Sequence, residues 1–191
     1  MSMLRESSLE WALFGISLGS IILIFALAVV SAFRHEFQFF PPPSKASWQH
    51  QTFISLFRLF LYPLIALTVI AFESVPRSDI ALHYGLGGLL FLCGFGMAVW
   101  ITLQMGWRNA FGEKRGLVTD GCFKFSRNPV YVATWVGLTG WGLIANQLPV
   151  TVLLLAWAVL YMLAPFFEEP WLEAQYEAVY RGYKARTRRF V

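Results

Sequence analysis

The chain has 191 residues, of which 57% are hydrophobic, 17% aromatic and only 14% charged. Soluble domains are about 45–50% apolar and about 25% charged, so this composition excludes a disordered chain, a coiled coil and an ordinary soluble enzyme, and points to one helical membrane domain. The net charge of +4 would suit nucleic acid only if the basic residues shared a soluble face. Cys93 and Cys122 form neither a disulfide framework nor a zinc spacing.

A membrane-spanning helix needs about 20 mostly apolar residues. Residues 9–33 are the first candidate, with Glu10 at the edge. Val30-Ser31-Ala32 resembles a secretory cleavage site. The apolar run is longer than the roughly 7–15 residues of a signal peptide, and Arg5 is offset by Glu6, so the segment reads as a retained span. Residues 53–72 form the second candidate, interrupted by Arg58 and Pro63, and residues 80–105 the glycine-rich third. Residues 130–166 carry no charge. At about 1.5 Å rise per residue this run is too long for one span and suits two short ones. The turn falls at Asn146-Gln147-Leu148-Pro149, because Pro149 disfavours helix at Leu148. The expected fold is therefore all-α and integral to the membrane, with about five spans, the last two a helical hairpin.

Charge orients these spans. Five crossings put Arg5 and Arg77 on one side. The other side holds residues 34–52, 106–129 and 168–191, with twelve basic residues, including Arg34 and Lys45, Arg108, Lys114, Arg115, Lys124 and Arg127, and the run from Arg181 to Arg189. The positive-inside rule makes that side cytoplasmic and the N-terminus external. The basic excess is thus topology plus attraction to anionic headgroups, and no nucleic-acid motif accompanies it.

The polar residues concentrate in 106–129 and 168–191, which flank the hairpin and meet at its root. That is the natural place for a site, although composition alone favours two solvated cytoplasmic segments. No P-loop, Gly-x-Ser-x-Gly elbow or His-Glu-x-x-His occurs. Gly85-Leu86-Gly87-Gly88 and the Gly15/Gly19 pair read as close helix packing. His35, His50 and His83 have no metal-ligand spacing. Arg58 is a lone charge inside the second span; it is either a substrate contact or a side chain that snorkels to the interface.

One ordered pattern is more specific. Leu117-Val118-Thr119-Asp120-Gly121-Cys122-Phe123 leads into Phe125-Ser126-Arg127-Asn128-Pro129-Val130-Tyr131. After the hairpin come Glu168-Glu169-Pro170-Trp171-Leu172, then Tyr176, Tyr180, Tyr183, Lys184 and Arg186. Over about residues 104–187 this resembles the isoprenylcysteine carboxyl methyltransferase family and its bacterial relatives, which in turn resemble membrane phospholipid N-methyltransferases.

The resemblance implies a single domain over 1–191, with residues 104–191 as the cofactor-binding and catalytic half under a cytoplasmic C-terminal helical cap, located in a bacterial inner membrane. It implies S-adenosyl-L-methionine as cofactor, held by Arg108, Asn109, Leu117, Val118, Phe123, Asn128, Pro129, Tyr131 and Glu168. It places Glu169 and Arg127 in catalytic roles, Glu169 as the nearest base and Arg127 as a donor to the cofactor carboxylate. The bland reading of Glu168 and Glu169 is a helix start, where acids suit the dipole. Tyr176, Tyr180 and Tyr183 read as packing or interfacial anchors, Arg186 as a closing residue, and Arg188 and Arg189 as headgroup ligands.

Four departures narrow the expectation. Asn128 replaces a histidine, Phe123 a tyrosine and Glu177 a glycine. Ala164 stands where eukaryotic prenylcysteine enzymes carry a substrate-binding arginine. A substrate carboxylate would lack that partner in an apolar pocket, which argues against prenylcysteine unless Arg58 substitutes. The expected function is S-adenosylmethionine-dependent methylation of a lipid-like or small amphiphilic acceptor in the bilayer, on oxygen, nitrogen or sulfur. The alternatives are a non-catalytic membrane scaffold or lipid-binding protein of the same fold, and a relative of sterol or isoprenoid double-bond reductases.

Overall fold

A computed structural model describes residues 2–34, 37–39, 42–44, 46–72, 79–106 and 116–191, with side chains from Ser8 onward. The helices are α1 (Ser2–Phe33), α2 (Trp48–Ile70), α3 (Gly87–Met105), α4 (Pro129–Ala145) and α5 (Leu148–Arg186). A π-helical turn, Ala81–Leu86, runs directly into α3, and a 3-10 turn, Gly121–Lys124, precedes α4. Among the described residues there is no strand, only a single parallel bridge between Ser126 and Arg188. Four helical stretches are long and apolar enough to cross a membrane: Ser8–Phe33, Trp48–Ile70, Ala81–Met105 and Leu148–Arg186. The remaining predicted span, Pro129–Ala145, is a shorter apolar helix of 17 residues.

Local chemistry sets the ends. Ser47 caps α2 by accepting the His50 amide at 3.3 Å. Pro129 opens α4 at a position where its missing N–H is no loss. Asn146 closes α4 in the left-handed region (φ 48°), donating its N–H to Gly142 O at 3.0 Å. The turn is at the expected place but is shorter than expected. Leu148 is already helical, because Pro149 sits in the first turn of α5, where no amide partner is needed.

Glycine brings α3 and α4 into backbone contact. A Cβ on Gly94 would lie 2.1 Å from Gly137 N, and one on Gly140 would lie 2.2 Å from Phe91 N. His83 Nδ1 lies 2.7 Å from Leu143 O at the far end of the same pair. On the other side, Ser17 of α1 donates to Phe60 O of α2 at 3.0 Å inside the core. Ile21, Phe60, Leu64, Leu138, Leu153 and Trp157 fill the centre between α1, α2, α4 and α5. A second apolar cluster, with Ile101, Phe123, Ala133, Tyr180 and Tyr183, lies at the hairpin root and floors the site.

The last helix has 39 residues. At about 1.5 Å per residue it is about twice the roughly 30 Å depth of the hydrocarbon core. Its uncharged apolar run ends at residue 167, and the charged part of the helix, which the sequence assigns outside the bilayer, begins at Glu168. Glu168 and Glu169 therefore lie mid-helix, between Pro165 and Pro170, and do not open a helix of their own. The helix breaks at Glu177, whose φ of 44° and ψ of −120° suit glycine. This is the position at which the motif resemblance expects glycine.

Two substitutions test this framework in opposite directions. Glu177→Gly relieves backbone strain of about 1–3 kcal/mol and raises the melting temperature in detergent. Gly94→Ala forces α3 from α4 and lowers it, at a cost of about 1–3 kcal/mol. A Glu177→Gly protein no more stable than the parent would contradict the kink.

Candidate active site

A cavity of about 340 Å³ opens at the hairpin root, within the range of small-molecule sites, about 300–1,000 Å³. Its walls come from residues 116–131, the 168–183 stretch of α5, and His50 and Phe53 of α2. Of the residues singled out from sequence, Leu117, Val118, Phe123, Arg127, Asn128, Pro129, Tyr131, Glu168 and Glu169 all line it. Arg108 and Asn109 lie outside the described residues. Arg58 is exposed on α2 and does not line the cavity.

Glu169 is the electrostatic centre, only 5% exposed. Arg189 grips it with both arms, Nε to Oε1 at 2.8 Å and Nη2 to Oε2 at 2.9 Å. Arg127 Nη2 lies 3.2 Å from Oε1, and Lys184 Nζ lies 3.9 Å from Oε2. Burial alone would raise the Glu169 pKa, but the Arg189 hydrogen bonds and the charges of Arg127, Arg189 and Lys184 outweigh it and hold the value below the ordinary range. A carboxylate held in this way is a poor proton acceptor, contrary to the expected base role.

Glu168 has a different environment. It accepts the Tyr131 hydroxyl at 2.5 Å, and the Tyr131 ring packs on Tyr161 with centroids 4.6 Å apart. Burial raises its pKa, the Tyr131 bond lowers it and the Glu169 charge raises it, which leaves it at about 7. Arg127 has unused capacity as well. Its side chain is 9% exposed, and its Nε and Nη1 are buried without a hydrogen-bond partner.

The chain's last residues return across this centre. Arg127 N donates to Arg188 O at 2.9 Å, and Asn128 Nδ2 donates to Arg189 O at 2.9 Å. The Arg189 guanidinium sits 4.1 Å over the Phe166 ring, and Phe190 packs on Trp135 at 5.0 Å. Arg189 is thus an internal ion-pair partner, where sequence suggested a headgroup ligand. Arg186, expected to close the site, is exposed and donates Nε to Gly182 O at 3.1 Å. Asn128, expected to replace a histidine toward cofactor, spends its amide on the tail. Tyr180 and Tyr183 are packing residues as expected, 1% and 4% exposed, and Tyr183 donates its hydroxyl to Phe123 O at 2.7 Å.

A second, apolar chamber of about 30 Å³ adjoins the cavity and shares Phe53, Tyr131 and Tyr161 with it. Ile24 and Ala28 of α1, Phe39, Leu160, Ala164 and Phe167 complete its walls. Residues 82–179 match the family described as phospholipid methyltransferase. The chain belongs to the phospholipid methyltransferase family. No curated protein and no solved structure matches the chain. The family match covers α3, α4 and most of α5, and stops short of Tyr180, Tyr183, Lys184 and Arg189. For this member of a methyltransferase family, the motif resemblance and the family match agree on the same half of the chain.

The unequal carboxylates are directly measurable. Between pH 4.5, the ordinary glutamate value, and about 7, the folded protein holds a proton on Glu168 that the unfolded chain has released. That contribution to stability is therefore lost as pH rises through this window. Infrared titration shows a carboxylic C=O band disappearing near pH 7. The band is absent in Glu168→Gln, and its midpoint moves to higher pH in Tyr131→Phe. Titration of that band in the usual carboxylate range would contradict the environment described.

Proposed function

We propose that the protein is an integral-membrane, S-adenosylmethionine-dependent methyltransferase that methylates a lipid-like or small amphiphilic acceptor. The observation that carries this reading is the cavity's charge layout: two unused Arg127 donors and one lining carboxylate, Glu168, that has no cationic partner among the described residues. That layout fits the amino-acid end of the cofactor, with its carboxylate to Arg127 and its ammonium to Glu168. Leu117, Val118 and Phe123 provide apolar surface for the adenosine end. Bound S-adenosylmethionine supplies an electrophilic methyl group on sulfonium, transferred by in-line displacement. The chain's part is chiefly to orient and to exclude water, which contributes a large share of barrier reduction in such reactions. Arg108 and Asn109 are proposed as further cofactor contacts.

On the acceptor side, the apolar chamber has Ala164 in its wall and no cation. A carboxylate head placed there would be unpaired, so an amine or thiol head fits better. An ammonium acceptor must lose a proton before attack, and Glu168, poised near neutrality, is better suited to take it than Glu169. The distribution of basic residues supports a cytoplasmic site and an external N-terminus.

Calorimetric titration of purified protein with S-adenosylmethionine tests the cofactor. Native protein binds, and Glu168→Ala binds at least tenfold more weakly, about 1.4 kcal/mol. The affinity gap between native protein and Glu168→Gln widens as pH rises through about 7, because only the ionised carboxylate attracts the ammonium. Mass spectrometry of lipids incubated with labelled cofactor then identifies the acceptor by its added mass. Binding of NADPH in place of S-adenosylmethionine would favour a reductase, and binding of neither would favour a scaffold.

A further inference from the structure

The position of Arg189 raises a question of competition. Glu169 has two oxygens, and an arginine–carboxylate pair prefers the two-armed fork. Arg127 and Arg189 both reach this carboxylate, yet only Arg189 forms the fork. Arg127 is left with one contact at 3.2 Å, and its Nε and Nη1, buried in the cavity wall, have no partner. Lys184 is 41% exposed and 3.9 Å away, and it shares itself with Glu173 at 3.3 Å, so it does not fill the fork. Several contacts fix Arg189 in place: its carbonyl receives Asn128 Nδ2, Phe166 lies under its guanidinium, and the neighbouring Arg188 carbonyl accepts from the Arg127 amide.

We propose that Arg189 is a positioning residue: by occupying both oxygens of Glu169 it prevents that carboxylate from capturing Arg127, and so keeps two Arg127 donors free for the carboxylate of the bound ligand. This rests on the S-adenosylmethionine reading above and adds to it a function for the tail beyond the family match. Arg127 and Arg189 face one ionised Glu169, while Lys184 is shared with Glu173, so the two arginines leave positive charge at the cavity wall that an anionic ligand group neutralises. Without Arg189, Glu169 takes Arg127 in a fork of its own, and the donors turn away from the ligand.

The test compares S-adenosylmethionine with its decarboxylated analogue, which differs only in lacking the carboxylate. Calorimetric affinities are measured for native protein, Arg189→Ala, and the double variant Arg189→Ala/Glu169→Gln. In Arg189→Ala, S-adenosylmethionine binding weakens about tenfold while the decarboxylated analogue binds as it does to native protein. In the double variant, S-adenosylmethionine affinity returns toward native, because a neutral glutamine cannot form the charged two-armed fork with Arg127. Unchanged S-adenosylmethionine affinity in Arg189→Ala overturns the proposal. So does equal loss of both ligands, which marks a residue that only supports the fold, and so does a double variant no better than the single. Native protein that binds neither ligand is a different result, and it overturns the cofactor reading itself.

Discussion

An ionised carboxylate buried in protein is tolerated only with cations and hydrogen-bond donors around it. Glu169 is where this chain meets that constraint, and the far end of the molecule is organised by the solution. Its partners come from the segment leading into α4, from the end of α5, and from the tail beyond α5. The same segments also share the apolar cluster of Phe123, Ala133, Tyr180 and Tyr183, so charge pairing and apolar packing act together. Removing one partner of such a group leaves the rest uncompensated, so the tail is bound as firmly as its charge is needed. The cavity is the space enclosed once these three segments are drawn to one point.

Adjacent helical residues project about 100° apart, and this separates Glu168 from Glu169. One turns to Tyr131 and the mouth of the apolar chamber, the other to the cation cluster. Their environments push their proton affinities in opposite directions, as expected where one carboxylate acts on a ligand and the other holds structure. Pro165 and Pro170 bracket the pair and remove amide donors from the helix on both sides.

Much of this was legible in the sequence. The apolar runs identified the helices, because the bilayer imposes length and composition directly, and Asn146-Gln147 marked the hairpin turn. The motif order from Leu117 to Glu169 identified nine residues that line one cavity. The tail was not legible. Arg186, Arg188 and Arg189 are equivalent as letters, and only a helix end at Arg186 followed by a return along Ser126 turns Arg189 inward. The contacts of Asn128 and Glu169 were illegible for the same reason, since Arg189 accepts from one and pairs with the other. Arg58 stood out as an intramembrane charge, yet which way it faces depends on α2 packing against α1, and it faces outward. The break at Glu177 had a signal in the missing glycine, read then as a departure and explained by its positive φ.

The two chambers divide the ligand problem in a way that favours selectivity on one side and tolerance on the other. The larger one has donors and a carboxylate held in fixed places by neighbours, a layout that would suit the zwitterionic end of the proposed cofactor. The smaller one presents aliphatic and aromatic side chains from α1, α2 and α5, which discriminate by volume at only about 1–3 kcal/mol per methylene. Tyr131 belongs to both walls, and its hydroxyl is bonded to the carboxylate of near-neutral pKa. A head group that reaches the Tyr131–Glu168 pair meets a carboxylate whose charge changes near neutrality. An exposed positive head group is stabilised there by the ionised form of Glu168, whereas a negative one is repelled by it. On the proposed reading, the carboxylate that would attract the cofactor's ammonium would also disfavour an anionic acceptor, in line with Ala164, which offers no cation in the chamber wall.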